Sequence, residues 1–528
     1  IAEPRWPLIL LRTPKGMTGP QSYRGEPVEG SYRAHQVPIP DAKTNPESLR
    51  IVEDWLRSYR PDELFDGQGR PMPDILACCP TGDRRMGSNP HTFGGRIRRP
   101  LDRPDIFAYE VALASPENGL ERGVSSVSSL EHVALYLRDV VARNRHQFRI
   151  MSPDELESNK LGAVFEVTQR DYQWPVAPHF SSHIGSDDGR VLEILSEHTC
   201  QAWLQGYLLT GRHGLFPSYE AFLTIVTSMM DQFAKFLKMS QQFSWRLPVS
   251  SLTYLETSTL WRQEHNGFSH QNPGFINSVL NLKPQFTRIY LPPDANTMVS
   301  TLDHCLRGTN YVNLVIANKP KLPQWLTMSE AIAHARAGAS IWPWASTDDG
   351  VNPDVVLVGI GDTLTEEVMA AAEMLLHEFP ELRVRVVNVT DLLVLQRESE
   401  HPHGLDDEMF AALFTPDKPV IVNFHGYPSA AKQLLFGRRH PQRFYIHGYQ
   451  EEGTTTTPFD MHVVNATDRF HLVMQAIRLA APVNPAVAAR ASERIHHYEY
   501  VLADFRRYIE EHGEDPPEIA NWRWTGKP

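Results

Sequence analysis

Four stretches of the 528-residue chain hold functional side chains at a density that packing alone does not require. The first joins Lys15-Gly16 to Arg33-Ala34-His35-Gln36, a cation, an imidazole and an amide in a glycine-rich segment rather than on an apolar face. Connecting segments carry sites more often than cores do. The second is Ser158-Asn159-Lys160, and the third is Ser196-Glu197-His198. A glutamate in a first helical turn is also what the helix dipole favours, so Glu197 by itself has a structural explanation. The fourth is His265-Asn266-Gly267-Phe268-Ser269-His270, with Tyr219 and Phe222 upstream. Hydroxyls require matched donors and acceptors, and phosphate requires cations and N–H groups. An inventory of lysine, serine, asparagine, tyrosine and histidine therefore suits an anionic, hydroxyl-bearing ligand.

Metal chemistry is weakly supported. The His265/His270 spacing lacks a carboxylate or cysteine close by, and neither Glu400-His401-Pro402-His403 nor His496-His497 has a recognised third ligand. Gly359-Ile360-Gly361-Asp362, between an apolar strand and a helix, resembles a phosphate-cradling turn. It lacks the complete glycine fingerprint, and an ordinary strand-to-helix turn is the simpler reading.

The elements that must position these residues follow from periodicity. Pro7–Arg12 reads as a buried strand, and a glycine- and proline-rich loop runs on to Pro40. A helix begins at Asn45 with Pro46 in its first turn and ends before Pro61. Ser128 and Glu131 form a capping box ahead of an apolar helix, followed by the strand Phe148–Met151. Helices are expected over Ser196–Thr210, Ser218–Met239 and Asp294–Leu306, with strands at Val249–Leu255, Phe286–Leu291 and Tyr311–Ala317. The alternation resumes with Val355–Ile360, a helix Thr365–Phe379, Val384–Val389 and Val420–Phe424, and closes with a charged helix Ala486–His512. Strands alternating with helices imply α/β architecture, with parallel, helix-covered sheets in successive domains. The residues alone place boundaries near 104 and 319.

Composition narrows the classes. At roughly 150 residues per domain the length predicts about three units. Hydrophobic residues at 41% and charged residues at 22% exclude wholesale disorder. The net charge of 51 − 63 = −12 speaks against a nucleic-acid or anionic-membrane partner, and Arg96, Arg98 and Arg99 read as a solvated stretch before Pro100. Four cysteines without Cys-x-x-Cys spacing point to a reducing compartment, here the cytoplasm. Apolar runs such as Val355–Ile360 are far shorter than the ~18 residues of a membrane span. The chain opens on Ile1 without a secretory signal, which is expected if something has been removed ahead of it.

Longer motifs add a family. Arg12-Thr13-Pro14-Lys15-Gly16, Arg33-Ala34-His35-Gln36-Val37-Pro38, Leu195-Ser196-Glu197-His198, Tyr207 to Gly214, Trp261 to Gln271 and Glu452 to Met461 together resemble the phosphoketolases. Arg84-Arg85-Met86-Gly87 and Asn89-Pro90-His91 belong to the same set. These are thiamine-diphosphate enzymes that split ketose phosphates with inorganic phosphate, and the likeness runs almost end to end. It implies a transketolase-like homodimer in which residues 1–93 are the tail of the diphosphate-binding domain plus a connector. Residues 94–325 would be the pyrimidine-binding domain and 326–528 the carboxy-terminal domain.

By the same resemblance Glu197 is the carboxylate that bonds the cofactor's aminopyrimidine, Phe222 the aromatic on which that ring stacks, and Lys15 a neighbour of the cofactor. His35 and Gln36 would contact the sugar hydroxyls and assist dehydration. Ser158, Lys160, Tyr219, His265, Asn266, His270 and Lys319 resemble the residues that grip the substrate phosphate and its near hydroxyls.

The sequence also departs from the family pattern. Lys160 stands where arginine is expected, keeping the charge but losing the planar fork. Met17 stands where tryptophan is usual. No Gly-Asp-Gly tripeptide occurs, and Asp188-Gly189 and Asp349-Gly350 are poor substitutes, so the magnesium ligands are expected in an amino-terminal region that this chain lacks. The chain reads as the carboxy-terminal two-thirds of a phosphoketolase, its front section supplied by another fragment or absent. The alternative is a non-catalytic, dimerising or regulatory relative, and a more distant one is an unrelated α/β sugar-phosphate binder.

Overall fold

The computed structural model describes residues 9–35, 37–115, 119–153, 156–171, 185–186, 188–258, 260–261, 267–350, 352–453 and 455–526. The chain divides into two compact units, Ile1–Asn89 and Pro90–Pro528.

In the first unit Asn45 caps the helix Pro46–Ser58, its side-chain oxygen accepting the N–H groups of Glu47 and Ser48, and Pro46 occupies the first turn where no donor is lost. The expected strand at Pro7–Arg12 is not found over its described part. Residues 9–12 pair with no strand, and Ile9, Leu10 and Leu11 are exposed. An apolar run becomes a strand only where a ladder partner exists. Gly16, at φ +79°, lets its turn approach the loop of Ala34 so closely that a Cβ would sit 2.5 Å from the Ala34 Cβ.

The second unit is built on two sheets. The first has six strands, all parallel, in the order Thr287–Tyr290, Val312–Asn318, Leu252–Ser258, His213–Tyr219, Phe148–Ser152, Val191–Glu193. The second has five, in the order Ala339–Ile341, Val384–Val389, Val355–Ile360, Val420–Phe424, Phe444–His447, and only Ala339–Ile341 runs antiparallel. Continuous β-branched runs such as Val355-Val356-Leu357-Val358 suit strands covered on both faces, and all four are buried. The long helix Pro485–His512 starts at the Asn484 cap and ends at Gly513 in the left-handed region. It lays Tyr498, Leu502 and Ile509 into the core beside the helix Arg469–Ala480.

Two further sequence expectations need correction. The helix expected over Ser218–Met239 is instead a strand through Tyr219, a short helix Glu220–Leu223, a tight turn Thr224–Val226 and a helix Thr227–Ser240. Ser218 and Tyr219 continue the ladder against Glu256 and Thr257, and that pairing outweighs local helical preference. The capping box is half formed. Ser128 Oγ accepts the Glu131 N–H at 3.3 Å, but the Glu131 carboxylate turns to Lys160 Nζ at 3.2 Å.

The carboxyl ends of the two sheets meet. Asp362, just past Val355–Ile360, accepts the backbone N–H of Asn318 at 2.8 Å and its side-chain amide at 2.5 Å. His425, just past Val420–Phe424, reaches Glu220 and Trp261. The turn that resembled a phosphate cradle is filled by this contact. Gly361 is at φ +101°, and a Cβ there would lie 2.7 Å from the His425 Cβ. Gly361→Ala is therefore expected to destabilise the fold by at least about 1–3 kcal/mol through backbone strain, read as a lower denaturant midpoint. An unchanged midpoint would show that the turn relaxes freely.

Candidate functional site

A ligand in an open parallel sheet sits beyond the carboxyl ends of its strands, and most of the residues singled out above collect there. Tyr219 ends the strand His213–Tyr219, and Lys319 follows the strand Val312–Asn318. The Tyr219 hydroxyl donates to Ser158 Oγ at 2.9 Å. The Lys319 ammonium lies 3.4 Å from the centre of the Tyr219 ring, a cation–π contact that holds a charge over an aromatic face. His270 stands edge-on to Tyr219 and to Phe222, with centroids 5.6 Å and 5.0 Å away, and Ser269 Oγ lies 2.9 Å from its Nδ1. Tyr219 and Phe222 are themselves edge-to-face at 6.1 Å. Five of the expected residues, Ser158, Tyr219, Phe222, His270 and Lys319, thus form one partly open ledge of rings with a cation, an imidazole and hydroxyls.

Asn159 explains why the neighbouring loop stays in place. It is buried, and its side-chain carbonyl accepts the Thr257 hydroxyl at 2.5 Å, tying Ser158-Asn159-Lys160 to the end of the strand Leu252–Ser258. Lys160 adopts the left-handed conformation at φ +66° and pairs with Glu131.

Glu197 is the first residue of the helix Glu197–Leu209 and is partly buried. The cap itself is supplied by Ser196, whose Oγ accepts the Thr199 N–H at 3.2 Å. The Glu197 side chain has no hydrogen-bond partner among the described residues, so a carboxylate is left available at a helix N-terminus. This helix packs on the turn Thr224–Val226 that follows Phe222. An unengaged carboxylate and an aromatic ring are what an aminopyrimidine would need, so these residues fit that end of thiamine diphosphate.

Lys15 and His35 belong to the first unit, where both are exposed. The Lys15 carbonyl accepts the Gly30 N–H at 2.7 Å, and the His35 N–H donates to the Tyr32 carbonyl at 3.0 Å. Gln36, His265 and Asn266 lie outside the described residues.

Sequence reasoning missed a buried group behind the ledge: Glu220, Glu256 and His425, each offering an atom within 4.8 Å of the others. Two signals were available, a glutamate between Tyr219 and Phe222 and a histidine directly after a parallel strand. Among the described residues this is the one grouping of three potential metal ligands, and its Glu220 and His425 are already bonded to protein groups.

Known proteins share this plan. The profile described as D-xylulose 5-phosphate/D-fructose 6-phosphate phosphoketolase matches residues 131–308, and the profiles of the XFP N-terminal and C-terminal domains match 1–97 and 319–524. A probable phosphoketolase of Bradyrhizobium diazoefficiens is 49% identical over 531 residues. The chain belongs to the phosphoketolase family. The match takes in 100% of this chain and 65% of that relative. A probable phosphoketolase of Gloeobacter violaceus is 49% identical over 99% of the chain and 65% of its own length. The chain thus spans about 65% of the length of these curated relatives. Among solved structures, a transketolase from Pichia stipitis is similar with a TM-score of 0.54 at 14% identity, covering 83% of this chain and 54% of its own. A transketolase from Leishmania mexicana gives 0.50 at 15%, with the same coverage. At that identity the likeness shows a shared transketolase-like fold.

Proposed function

We propose that the chain carries part of the active site of a phosphoketolase. The reaction is cleavage of a ketose phosphate, xylulose 5-phosphate or fructose 6-phosphate, with inorganic phosphate to give acetyl phosphate, an aldose phosphate and water. The observation that carries this reading is the gathering of Ser158, Tyr219, His270 and Lys319 around one ledge beside Phe222.

Thiamine diphosphate, when bound, supplies the nucleophilic carbon that takes up the two-carbon fragment. In this reading Glu197 holds a proton at the aminopyrimidine and Phe222 orients that ring. Lys319, His270, Ser158 and Tyr219 grip the substrate phosphate and its near hydroxyls, with His265, Asn266 and Lys160 in the same role. Lys15 adjoins the cofactor, and His35 and Gln36 contact the sugar hydroxyls and assist loss of water. Magnesium ligands are assigned to no residue of this chain. A homodimer with the site at its two-fold interface completes the proposal. So does the division into 1–93, 94–325 and 326–528, supported by two sheets confined to residues 148–318 and 339–447.

The test supplies magnesium, thiamine diphosphate, xylulose 5-phosphate and phosphate to the chain alone and to the chain supplemented with the part of a curated relative that it does not span. Acetyl phosphate from the supplemented protein is the expected result. None from either sample would overturn the proposal in favour of a non-catalytic relative.

Lys160→Arg is expected to lower the KM for the ketose phosphate about two- to fivefold, the worth of one exposed ionic contact, because the guanidinium fork can meet phosphate while retaining Glu131. An unchanged KM would remove Lys160 from the phosphate site.

A further inference from the structure

Beneath the ledge the two lobes of the second unit are joined by buried carboxylates that the proposed chemistry leaves unused. Glu220, 1% exposed, sits between Tyr219 and Phe222 in sequence and faces inward where they face out. One of its oxygens accepts from His425 Nε2 at 2.9 Å, and the other accepts the Ser258 hydroxyl at 2.5 Å. The Trp261 indole N–H donates to His425 Nδ1 at 3.1 Å. Burial opposes charge on that ring and Glu220 favours it, but a second ring proton would have to displace the indole N–H from Nδ1. The ring therefore keeps one proton, on Nε2, aimed at Glu220. Glu256, wholly buried on the adjacent strand, is pushed well above the carboxylate range by burial and by the charge of Glu220. Neither of its oxygens has a hydrogen-bond partner among the described residues, so the donors that hold Glu220 are His425 and Ser258. A buried carboxylate surrounded by donors is held stiffly, because leaving any one unpaired costs the desolvation of a polar group.

The second carboxylate repeats the arrangement. Asp362 binds the backbone and side-chain amides of Asn318, the residue before Lys319. It also accepts the Thr363 N–H at 2.8 Å.

We propose that the carboxyl-terminal sheet positions the ligand-contacting residues through two clasps: His425 on Glu220, which sets Tyr219 and Phe222, and Asp362 on Asn318, which sets Lys319. Glu220, His425 and Asp362 are positioning residues. The inference rests on the reading that the ledge meets substrate, but its test separates the two.

Histidine-ring NMR of the complete chain uses His270 as the reporter, since the Phe222 and Tyr219 rings shift its signal. His425→Phe removes the donor and is expected to move the His270 resonance toward its unstacked position. In the supplemented assay it is expected to raise the KM for xylulose 5-phosphate about tenfold, with a smaller change in kcat. His425→Gln, whose amide can still donate to Glu220, is expected to restore most of both. Should His425→Phe fail to fold, Ser258→Ala removes a smaller donor and is expected to move both readouts in the same direction, with KM up two- to threefold. A folded His425→Phe or Ser258→Ala protein with an unmoved His270 resonance overturns the clasp. A moved resonance with no ketose-phosphate turnover in the wild type supports the clasp and overturns the proposed function.

Discussion

Replacing Glu197 by glutamine is expected to lower turnover by about 10²- to 10⁴-fold, the range associated with losing a positioned proton-transfer group. Glutamine keeps the size of the side chain and one carbonyl acceptor, so the proposed pyrimidine pocket is left in shape while the carboxylate proposed to hold the proton is gone. The local structure makes the result interpretable. Ser196, not Glu197, caps the helix, and no described residue depends on the Glu197 carboxylate for a hydrogen bond. The unfolding free energy should therefore change by no more than about 0.5 kcal/mol, as for other substitutions that break no buried contact. Thiamine diphosphate affinity should change far less than kcat. Acetyl phosphate formation in the supplemented protein is the measurement, and turnover within threefold of wild type would strip Glu197 of its role.

The largest stability effect belongs to Glu367 and Arg469. Both side chains are almost fully buried, at 6% and 5% exposure, and they pair through two parallel contacts of 2.7 Å and 3.0 Å. The Arg469 backbone N–H adds a third bond to Glu367 at 2.7 Å, so the pair also anchors the start of the helix Arg469–Ala480. Glu367→Ala leaves a guanidinium without its counter-charge in a dry interior, and the expected loss is about 3–5 kcal/mol. Replacing both residues with apolar side chains of similar volume should recover much of that, because the desolvation of two charges is removed together with their attraction. Urea unfolding of the single and double variants checks this, and equal losses in both would count against it. The pH dependence has a definite sign. Burial raises the Glu367 carboxyl, but the charge and hydrogen bonds of Arg469 outweigh it and hold the group below its usual range. Its contribution to stability is present above the unfolded value of about 4.3 and is lost as the pH falls through the lower folded value.

Much of this architecture could be read from residue patterns, because the strongest signals were local. Val355–Ile360, Val384–Val389 and Val420–Phe424 are short apolar runs bounded by turns, and the structure has strands with those limits. The strand His213–Tyr219 was hidden by its own composition. Gly214 and Pro217 signal a break, yet Pro217 lies where the strand is paired on one side only, since the ladder to Phe148–Ser152 ends at Leu215. The strand Leu252–Ser258 was cut short at Leu255, because nothing local shows that Glu256, Thr257 and Ser258 remain wholly buried. At the ledge, Ser158, Tyr219 and His270 stand out for their chemistry and Lys319 only through the family resemblance, and folding brings the four together. His425 and Asp362 could not be chosen that way, since their importance comes from partners roughly 205 and 44 residues distant.

The facing of the two sheets by their carboxyl ends has a kinetic consequence. The ledge is assembled from ends of strands that are remote in the chain, and closing such long loops before any contact rewards them is slow. During refolding, helical circular dichroism should return first and the edge-on stacking around His270 last, once both lobes have locked. A partly synthesised or partly refolded molecule would hold nearly all of its regular structure and still lack the assembled ledge.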